Sequence, residues 1–352
     1  MSRRVGASPA PDPTRWSVES DEAIEQVASA GQAVRLQKSR LRLDSRLAVV
    51  RKRLPCVTGP AVVLVHGFAQ NRYTWHSTGR SMSAWLAGKG FDVYVLELRG
   101  HGNSRASGSP ETGSPDSFAD YVVDAEALAS ALPGPAFWIG HSLGGAVAYA
   151  LATRAPVRGV VGLGAVYRFG QTNRVIGWLA RASHFIAANR GFGVNPRGAL
   201  GALSVKTRFA GQVVGRLFSF IDAAGYALPV SGWAPGSIEP ELLAERLERG
   251  FDWTSLHVWL DMSCWAAGDE LDYEAAWRAT DVPLLVITGD LDHFMPPADA
   301  RAAFDESGSS DRELLNLEPW NTGSHWGHLD LVSGTAAPEQ VWQPILAWLG
   351  ER

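Results

Sequence analysis

Short apolar runs alternate with amphipathic stretches along most of the chain after residue 60. Apolar runs of roughly four to eight residues, bounded by turn residues, are typical of strands buried on both faces of a sheet. Five such runs and a weaker sixth are predicted as strands: 61–65, 93–97, 136–140, 160–165, 284–288 and 314–317. The predicted helices cover 74–88, 117–131, 143–153, 297–306 and 338–350. This alternation predicts an α/β fold, a mostly parallel sheet with helices on both faces.

One long interval interrupts this rhythm. Between the strand that ends near Ala165 and the one that begins at Leu284, the chain has no clear strand pattern but contains helical stretches and many tryptophans. An insertion of this kind predicts a helical cap. The start of the chain is rich in Pro, Ser and Ala and is expected to be disordered. The predicted organisation is a flexible tail, a sheet domain in two parts and the cap between those parts, with the bounds 1–30, 31–166, 281–352 and 167–280.

The segment 34–53 is strongly basic, with eight Lys and Arg against the single Asp44. Such a run can bind acidic lipid or another polyanion. However, apolar residues alternate with the charges here, as in half-buried strands. We therefore favour a β-hairpin whose exposed face is basic, an arrangement that also protects a sheet edge from pairing with other chains.

Composition narrows the classes of protein that fit. The 352 residues carry a net charge of −4, and 46% are hydrophobic, so neither a nucleic-acid partner nor stable membrane insertion is expected. No apolar run approaches the roughly 20 residues of a membrane-spanning helix, and the first residues do not form a secretory signal. Two cysteines, Cys56 and Cys264, are too few for a disulfide framework and have no metal-binding spacing, which indicates a reducing, cytoplasmic setting.

The candidate chemistry begins at "WIGHSLGG", where a predicted strand stops at Gly140 and a helix begins near Leu143. G-x-S-x-G alone is weak evidence, but in a strand-turn-helix setting it indicates a nucleophile elbow. The glycines on either side of Ser142 permit a tight turn and close packing. The following helix directs its positive end at the serine.

A serine hydroxyl needs a base, and the base needs an acid that orients it. After the strand 284–288, "GDLDHFMPP" offers Asp290 and Asp292, and near the end "GSHWGHLDLV" offers His325 and His328. The chain order serine, acid, histidine is the one expected for this elbow. Both acids and both histidines are candidates on these grounds.

The chain resembles the α/β-hydrolase superfamily over most of residues 40–352, the cap excluded. "VLVHGFAQNRYTW" is similar to the family's oxyanion loop, "ELRGHGNSR" to its Arg-Gly-His-Gly-x-Ser segment, and "GHSLGG" to its elbow. "GDLDHFMPP" resembles its acid loop and "GHLDLV" its histidine loop. The C-terminal part is most similar to serine esterases and lipases and to polyhydroxyalkanoate-synthase-like hydrolases. The synthases have cysteine where this chain has Ser142, and epoxide hydrolases and haloalkane dehalogenases have aspartate there.

The resemblance implies a role for each matching residue. Ser142 would attack an acyl carbon, His328 would take the proton and deliver it to the leaving alcohol, and Asp292 would hold the imidazole. The backbone N–H groups of Phe68 and Leu143 would bind the oxyanion.

The motif spacing prefers Asp292 to Asp290 and His328 to His325. Asp290 is then expected to cap a turn and His325 to be a surface or turn histidine. His66 is expected to brace the oxyanion loop through a side-chain hydrogen bond.

The leading interpretation is a hydrolase acting on a small-molecule carboxylic ester with a hydrophobic group, since ligand pockets are mostly apolar. No cofactor and no metal are implied. Acyl transfer and thioester or C–C hydrolysis can use the same three residues. A binding protein that keeps the fold without catalysis is the alternative of another class.

Overall fold

The computed structural model describes residues 13–29, 31–57, 59–105, 115, 117–188, 204–206 and 232–352. Its strands are β1 (Trp16–Ser29), β2 (Gln32–Leu43), β3 (Leu47–Arg53), β4 (Ala61–Val65), β5 (Asp92–Leu96), β6 (Phe137–His141), β7 (Gly159–Leu163), β8 (Ser204–Lys206), β9 (Trp253–Ser255), β10 (Leu284–Gly289) and β11 (Arg312–Leu317). Its helices are α1 (Met82–Gly88), α2 (Phe118–Ala131), α3 (Leu143–Ala152), α4 (Arg174–Ala188), α5 (Pro240–Gly250), α6 (Leu256–Ala267), α7 (Glu274–Trp277), α8 (Pro297–Glu306), α9 (Pro319–Thr322), α10 (Asp330–Ser333) and α11 (Gln343–Gly350).

Within the described residues, nine strands form one sheet in the order β1-β2-β3-β5-β4-β6-β7-β10-β11. The strands from β5 to β11 in this order are parallel, whereas β1, β2, β3 and β5 pair antiparallel. The prediction of a mostly parallel sheet is confirmed, as are the six predicted strands to within a few residues. Because the strands are parallel, the loops that follow β4, β6, β7 and β10 meet at one edge of the sheet.

Helices cover both faces of the parallel strands, because side chains alternate between the faces and both sets are apolar. On β4, Val63 and Val65 belong to a core cluster with α2 and α3, while Val62 and Leu64 belong to a second cluster with α1 and α11. All four side chains are fully buried. This double burial explains why the apolar runs in the sequence identified the strands. The predicted helix 74–88 is shorter than expected, because α1 starts only at Met82, where the Ser81 hydroxyl accepts a hydrogen bond from the Ala84 N–H at 3.2 Å.

The prediction of a flexible tail over residues 1–30 is wrong for residues 16–29. They form β1, which pairs with β2 from Trp16 opposite Leu43 to Ser29 opposite Gln32. The strand lies at the sheet edge, and most of its side chains before Gln26 are exposed or half-buried. An edge strand of this kind has no continuous apolar run, so its sequence resembles that of a disordered segment. Residues 1–12 of the predicted tail lie outside the described residues.

The predicted basic hairpin is confirmed. β2 and β3 pair from Leu43 opposite Leu47 to Gln37 opposite Arg53. Part of the basic face is paired with carboxylates of β1: Lys38 Nζ lies 3.2 Å from Glu22 Oε1, and Arg42 Nη2 lies 2.6 Å from Glu19 Oε1. Some of the positive charge is therefore matched within the sheet by the strand that the sequence did not reveal.

The region predicted as a cap contains α4, α5, α6 and α7, as expected for a helical insertion. It also contains a short antiparallel pair, β8 and β9, which the sequence pattern did not predict. Residues 189–203 and 207–231 of the predicted cap lie outside the described residues, and the domain bounds stay predictions. None of the helices in the described ranges is long and apolar enough to cross a bilayer.

The hairpin contains a buried lysine. The Lys52 side chain of β3 is 2% exposed, its Nζ donates to Ser83 Oγ at 2.9 Å, and it stands directly opposite Lys38. Burial, together with the positive charges of Lys38 and Arg72, lowers the pKa of Lys52 to about 7.

We expect Lys52→Met to stabilise the protein at pH 6. Because the pKa of Lys52 is lower in the folded than in the unfolded protein, its ionised form destabilises the fold below about pH 7, and this penalty fades as the pH rises toward about 10.5. The gain in the free energy of unfolding should reach a few kcal/mol at pH 6 and shrink by pH 10, measured by urea denaturation. Lys89→Met, at the end of α1, serves as the control and should change little. An equal gain at both pH values would contradict an ionised Lys52.

Candidate active site

Ser142 occupies a strained turn between β6 and α3. Its backbone has φ 57° and ψ −126°, in a region that residues other than glycine rarely adopt. Two hydrogen bonds tie the turn to the neighbouring strand β7 and the loop after it: Ser142 N–H donates to Leu163 O at 3.0 Å, and Ser142 O accepts from Val166 N–H at 3.0 Å. The surrounding structure thus enforces the strain, as the elbow motif predicts.

The glycines of the motif allow α3 to approach the sheet closely. A methyl group on Gly144 would overlap the carbonyl groups of Val65 and His66 at the end of β4, and one on Gly145 would overlap Ala165. A methyl group on Gly140 would overlap the Gly144 backbone. Each glycine is therefore required for space, and the N-terminus of α3 lies directly at the carboxyl end of the sheet.

Asp292 and His328 form a buried hydrogen-bonded pair. Asp292 Oδ2 lies 2.7 Å from His328 Nδ1, and the two side chains are 0% and 5% exposed. The other carboxylate oxygen of Asp292 accepts from the Met295 N–H at 2.8 Å. In a neutral imidazole this arrangement assigns the proton to Nδ1 and leaves Nε2 with a free lone pair.

This pair lies beside the serine turn. His141, the residue before Ser142, donates from Nε2 to His328 O at 3.0 Å, and the centroids of the two rings are 4.4 Å apart. Gly164, just after β7, is close enough that a methyl group there would lie 2.6 Å from Asp292 Oδ2 and 3.1 Å from His328 Nδ1. The fold therefore brings the predicted serine, acid and histidine to the same edge of the sheet.

The alternative candidates form a second pair of their own. Asp290 Oδ2 lies 2.5 Å from His325 Nδ1, and Asp290 Oδ1 accepts from the Trp326 N–H at 2.8 Å. The His325 side chain is 40% exposed, which agrees with the expected surface position. Asp290 therefore binds the loop that carries both histidines.

The loop after β4 faces the serine. A methyl group on Gly67 would lie 2.8 Å from Ser142 Cβ and 3.3 Å from its Oγ. His66 Nδ1–H donates to Gly67 O at 3.0 Å, and its Nε2 accepts from the Leu98 N–H at 3.1 Å. Burial keeps the pKa of His66 well below its usual value, so the ring is neutral and can make both bonds. The prediction that His66 braces this loop is confirmed.

Phe68 and Leu143, the predicted oxyanion donors, belong to the two segments that flank Ser142. Leu143 is the first residue of α3, so its N–H has no acceptor within the helix, and the helix dipole favours negative charge there. The Phe68 ring contacts Trp259 of α6, with the ring centroids 6.3 Å apart. The chain just before β9 fastens the same loop, because Asp252 N–H donates to Ala69 O at 2.9 Å.

Two buried charged residues near the site were missed by the sequence analysis. Asp330 Oδ2 accepts from the N–H groups of Ala234 (2.8 Å) and Gly327 (2.6 Å), and burial raises the pKa of Asp330 to about 7. It thereby joins the histidine loop to the segment before α5. The "GHLD" motif contains this aspartate, so a signal for it was present.

The second is Arg246 of α5, which is 1% exposed. Its Nη2 donates to Gln70 Oε1 at 2.8 Å and to Thr74 Oγ1 at 3.0 Å, both just after the loop that faces the serine. Burial lowers the pKa of Arg246 to about 9. No local pattern could reveal this contact, because Arg246 and Gln70 are 176 residues apart in the chain.

Curated relatives match only part of the chain. Over 100 residues it is 35% identical to pimeloyl-[acyl-carrier protein] methyl ester esterase of Nitrosospira multiformis, which covers 28% of this chain and 35% of that protein. Over 105 residues it is 30% identical to protein phosphatase methylesterase 1 of Mus musculus, covering 30% of this chain and 26% of the relative. Over 121 residues it is 34% identical to epoxide hydrolase B of Mycobacterium tuberculosis, covering 34% and 32%. The matched segment spans about a third or less of the length of these relatives.

Solved structures match over most of the chain. The monoacylglycerol lipase of Paleococcus ferrophilus aligns with a TM-score of 0.58 and 18% identity, covering 86% of this chain and 98% of that one. A thermophilic esterase from Thermogutta terrifontis aligns with a TM-score of 0.50 and 20% identity, covering 94% and 98%. At this identity the likeness shows the fold.

A family model described as the alpha/beta hydrolase fold matches residues 60–332. This range includes the loop after β4, the elbow, the acid loop and the histidine. It spans more than half of the sequence, and the chain therefore belongs to the α/β-hydrolase family.

Proposed function

We propose that the protein is a serine hydrolase that cleaves carboxylic esters through an acyl-enzyme on Ser142. The observation that carries the proposal is the buried Asp292–His328 pair beside a serine held at φ 57° on the elbow. Such a pair provides a base with a fixed tautomer, and the strained turn presents the hydroxyl.

In the first half of the reaction, Ser142 Oγ attacks the ester carbonyl carbon while His328 Nε2 takes the hydroxyl proton. The tetrahedral oxyanion accepts hydrogen bonds from the N–H groups of Phe68 and Leu143. When the C–O bond breaks, His328 gives its proton to the leaving alcohol. Asp292 stabilises the imidazolium meanwhile.

In the second half, His328 takes a proton from water, and the hydroxide attacks the acyl-enzyme through a second tetrahedral intermediate. Collapse of that intermediate releases the carboxylic acid and returns the proton to Ser142. Ser142, His328 and Asp292, with the two backbone N–H donors, thus suffice for both halves of ester hydrolysis.

The comparisons support this class of chemistry. Two of the relatives are named methyl ester esterase and methylesterase, and two structural neighbours are a lipase and an esterase. A third relative is named an epoxide hydrolase, which is a different class of hydrolase. In the family resemblance, epoxide hydrolases have an aspartate at the position of the nucleophile. This chain has Ser142 at that position, and the serine favours ester hydrolysis.

The side chains around the pair favour a hydrophobic group in the substrate. The Phe294 ring lies against His328, with the centroids 5.5 Å apart, and Phe68 packs beside Trp259. Apolar walls with a few polar groups are typical of small-molecule sites. Acyl transfer and thioester or C–C hydrolysis remain the alternatives within the same machinery, and product analysis with competing acceptors distinguishes them.

We expect Ser142→Ala to lower kcat/KM for p-nitrophenyl esters by at least about 10³-fold, because the attacking oxygen is lost. The measurement is release of p-nitrophenol across short and medium acyl chains. Ser130→Ala, on α2, is the matched control and should retain activity. A fluorophosphonate probe should label the wild-type protein stoichiometrically and leave the Ser142→Ala variant unlabelled.

Unreduced turnover in Ser142→Ala would overturn the proposed nucleophile. A wild-type protein that neither turns over these esters nor reacts with the probe would support the non-catalytic binding protein instead.

Gly164→Ala should damage catalysis without removing any proposed catalytic side chain. Its methyl group would collide with Asp292 Oδ2 and His328 Nδ1, so the pair must shift, and we expect kcat/KM to fall by about 10²-fold or more. Gly31→Ala is the matched control. It has a similarly positive φ of 76° but no atom within 4 Å of the new methyl group.

The alanine imposes backbone strain of about 1 kcal/mol or more in both variants, and only Gly164→Ala should also lose activity. Equal activity losses in the two variants would mean that strain, and not displacement of the Asp292–His328 pair, is responsible.

A further inference from the structure

Three side chains with different metal-binding atoms meet between α4 and α6. They are His184 on α4, Cys264 on α6 and Asp269 just after α6, and their donor atoms all lie within 4.8 Å of one another. His184 and Cys264 are half-buried, and Asp269 is exposed. The cluster therefore combines an imidazole, a thiol and a carboxylate with access to solvent.

The distance between the sulfur and nitrogen donors fits two ligands of a tetrahedral metal ion. With Zn–S of about 2.3 Å and Zn–N of about 2.0–2.1 Å, two ligands of a tetrahedral Zn²⁺ are about 3.6 Å apart. Cys264 Sγ and His184 Nδ1 are 3.4 Å apart. A carboxylate oxygen of Asp269 supplies a third ligand, and water can take the fourth position. The thiolate makes the set suited to Zn²⁺ and not to Mg²⁺ or Ca²⁺, which prefer oxygen ligands.

The end of α6 brings Cys264 and Asp269 together. Gly268 adopts the left-handed conformation with φ 107°, and its N–H donates to Trp265 O at 3.1 Å. The reversed chain then allows Asp269 N–H to donate to Cys264 O at 3.1 Å. Two residues that α6 alone would separate by more than a turn thus share one end of the helix.

The packing of α4 along α6 adds the histidine. Trp259 Nε1 donates to Ser183 Oγ at 3.2 Å, and Arg181 Nη1 donates to Ala266 O at 3.4 Å. These contacts attach α4 to α6 just before His184. Sequence spacing gave no metal site, because His184 and Cys264 are 80 residues apart in the chain.

We propose that His184, Cys264 and Asp269 bind Zn²⁺ and that the ion clamps α4 to α6. Metal binding requires the thiolate, so the half-buried Cys264 thiol would release its proton to the solvent when the ion binds. The clamp would act on the region beside Ser142, since Trp259 contacts both Ser183 and Phe68. The proposal is independent of ester hydrolysis, because it concerns binding alone.

The test uses metal-free full-length protein titrated with Co²⁺, which reports its ligands by absorption. We expect one Co²⁺ per chain, with a thiolate-to-cobalt charge-transfer band and visible bands of tetrahedral coordination, and displacement by Zn²⁺. Cys264→Ser should abolish the charge-transfer band. His184→Asn and Asp269→Asn should weaken binding at least about tenfold. Cys56→Ser removes the other thiol, which is exposed, and should behave as wild type.

Zn²⁺ should also raise the thermal midpoint of the wild-type protein and of Cys56→Ser, but not of Cys264→Ser. Circular dichroism of the metal-free variants checks their folding. If a substitution of the half-buried His184 or Cys264 prevents folding, Asp269→Asn still tests the site, because Asp269 is exposed. A wild-type protein without the thiolate band overturns the proposal and leaves a simple Cys264–His184 contact. The same holds for a band that survives Cys264→Ser or is lost in Cys56→Ser.

Discussion

The close contact between the start of α3 and the ends of β4 and β7 is the constraint on which the site depends. Gly144 and Gly145 leave no room for a side chain there, and Ser142 before them adopts its strained backbone conformation with positive φ. The hydrogen bonds from this turn to Leu163 and Val166 then fix the path of the chain after β7. That path places Gly164 against the Asp292–His328 pair, so one tight junction determines the positions of three loops.

Buried polar contacts attach the remaining elements to this junction. Asp330 holds the histidine loop to the segment around Ala234, and Arg246 holds α5 to Gln70. Neither contact is a simple ion pair, since the described hydrogen bonds of both residues go to neutral groups. Burying a charge without an opposite partner costs stability. Here the two residues join the helical insertion to the loops beside Ser142.

The sequence predicted the strands that are buried on both faces and the alternating hairpin of β2 and β3, but it missed the edge strand β1 and the very short strands β8 and β9. The runs 61–65 and 284–288 are almost continuously apolar, as expected for strands buried on both faces. They form β4 and β10, whose bounds match the predicted ones to within one residue. β1 has no continuous apolar run, and half of its residues are exposed, so its pairing with β2 depends on contacts that no local pattern encodes. β8 and β9 have three residues each, too short for any periodicity.

The candidate site was predictable for a related reason. In a parallel α/β sheet, the loops that follow the strands lie along one edge, so Ser142 and the acid loop could be placed at the same edge from the strand-helix alternation alone. The distinction between Asp292 and Asp290 came only from resemblance, because both follow the same strand. Arg246 and the cluster of His184, Cys264 and Asp269 could not be found this way, since packing between distant helices creates them.

The attachment of the chain around Phe251 and Asp252 to the loop beside the serine has a consequence for how the molecule works. Gln70 forms a β-bridge with Phe251, and Ala69 O accepts from the Asp252 N–H. Part of the backbone that faces Ser142 is thus held in place by the inserted region and not by the sheet alone. Any displacement of that region to admit a bulky molecule would also shift Phe68, so in the proposed mechanism the entry of a ligand and the binding of the oxyanion cannot be adjusted independently.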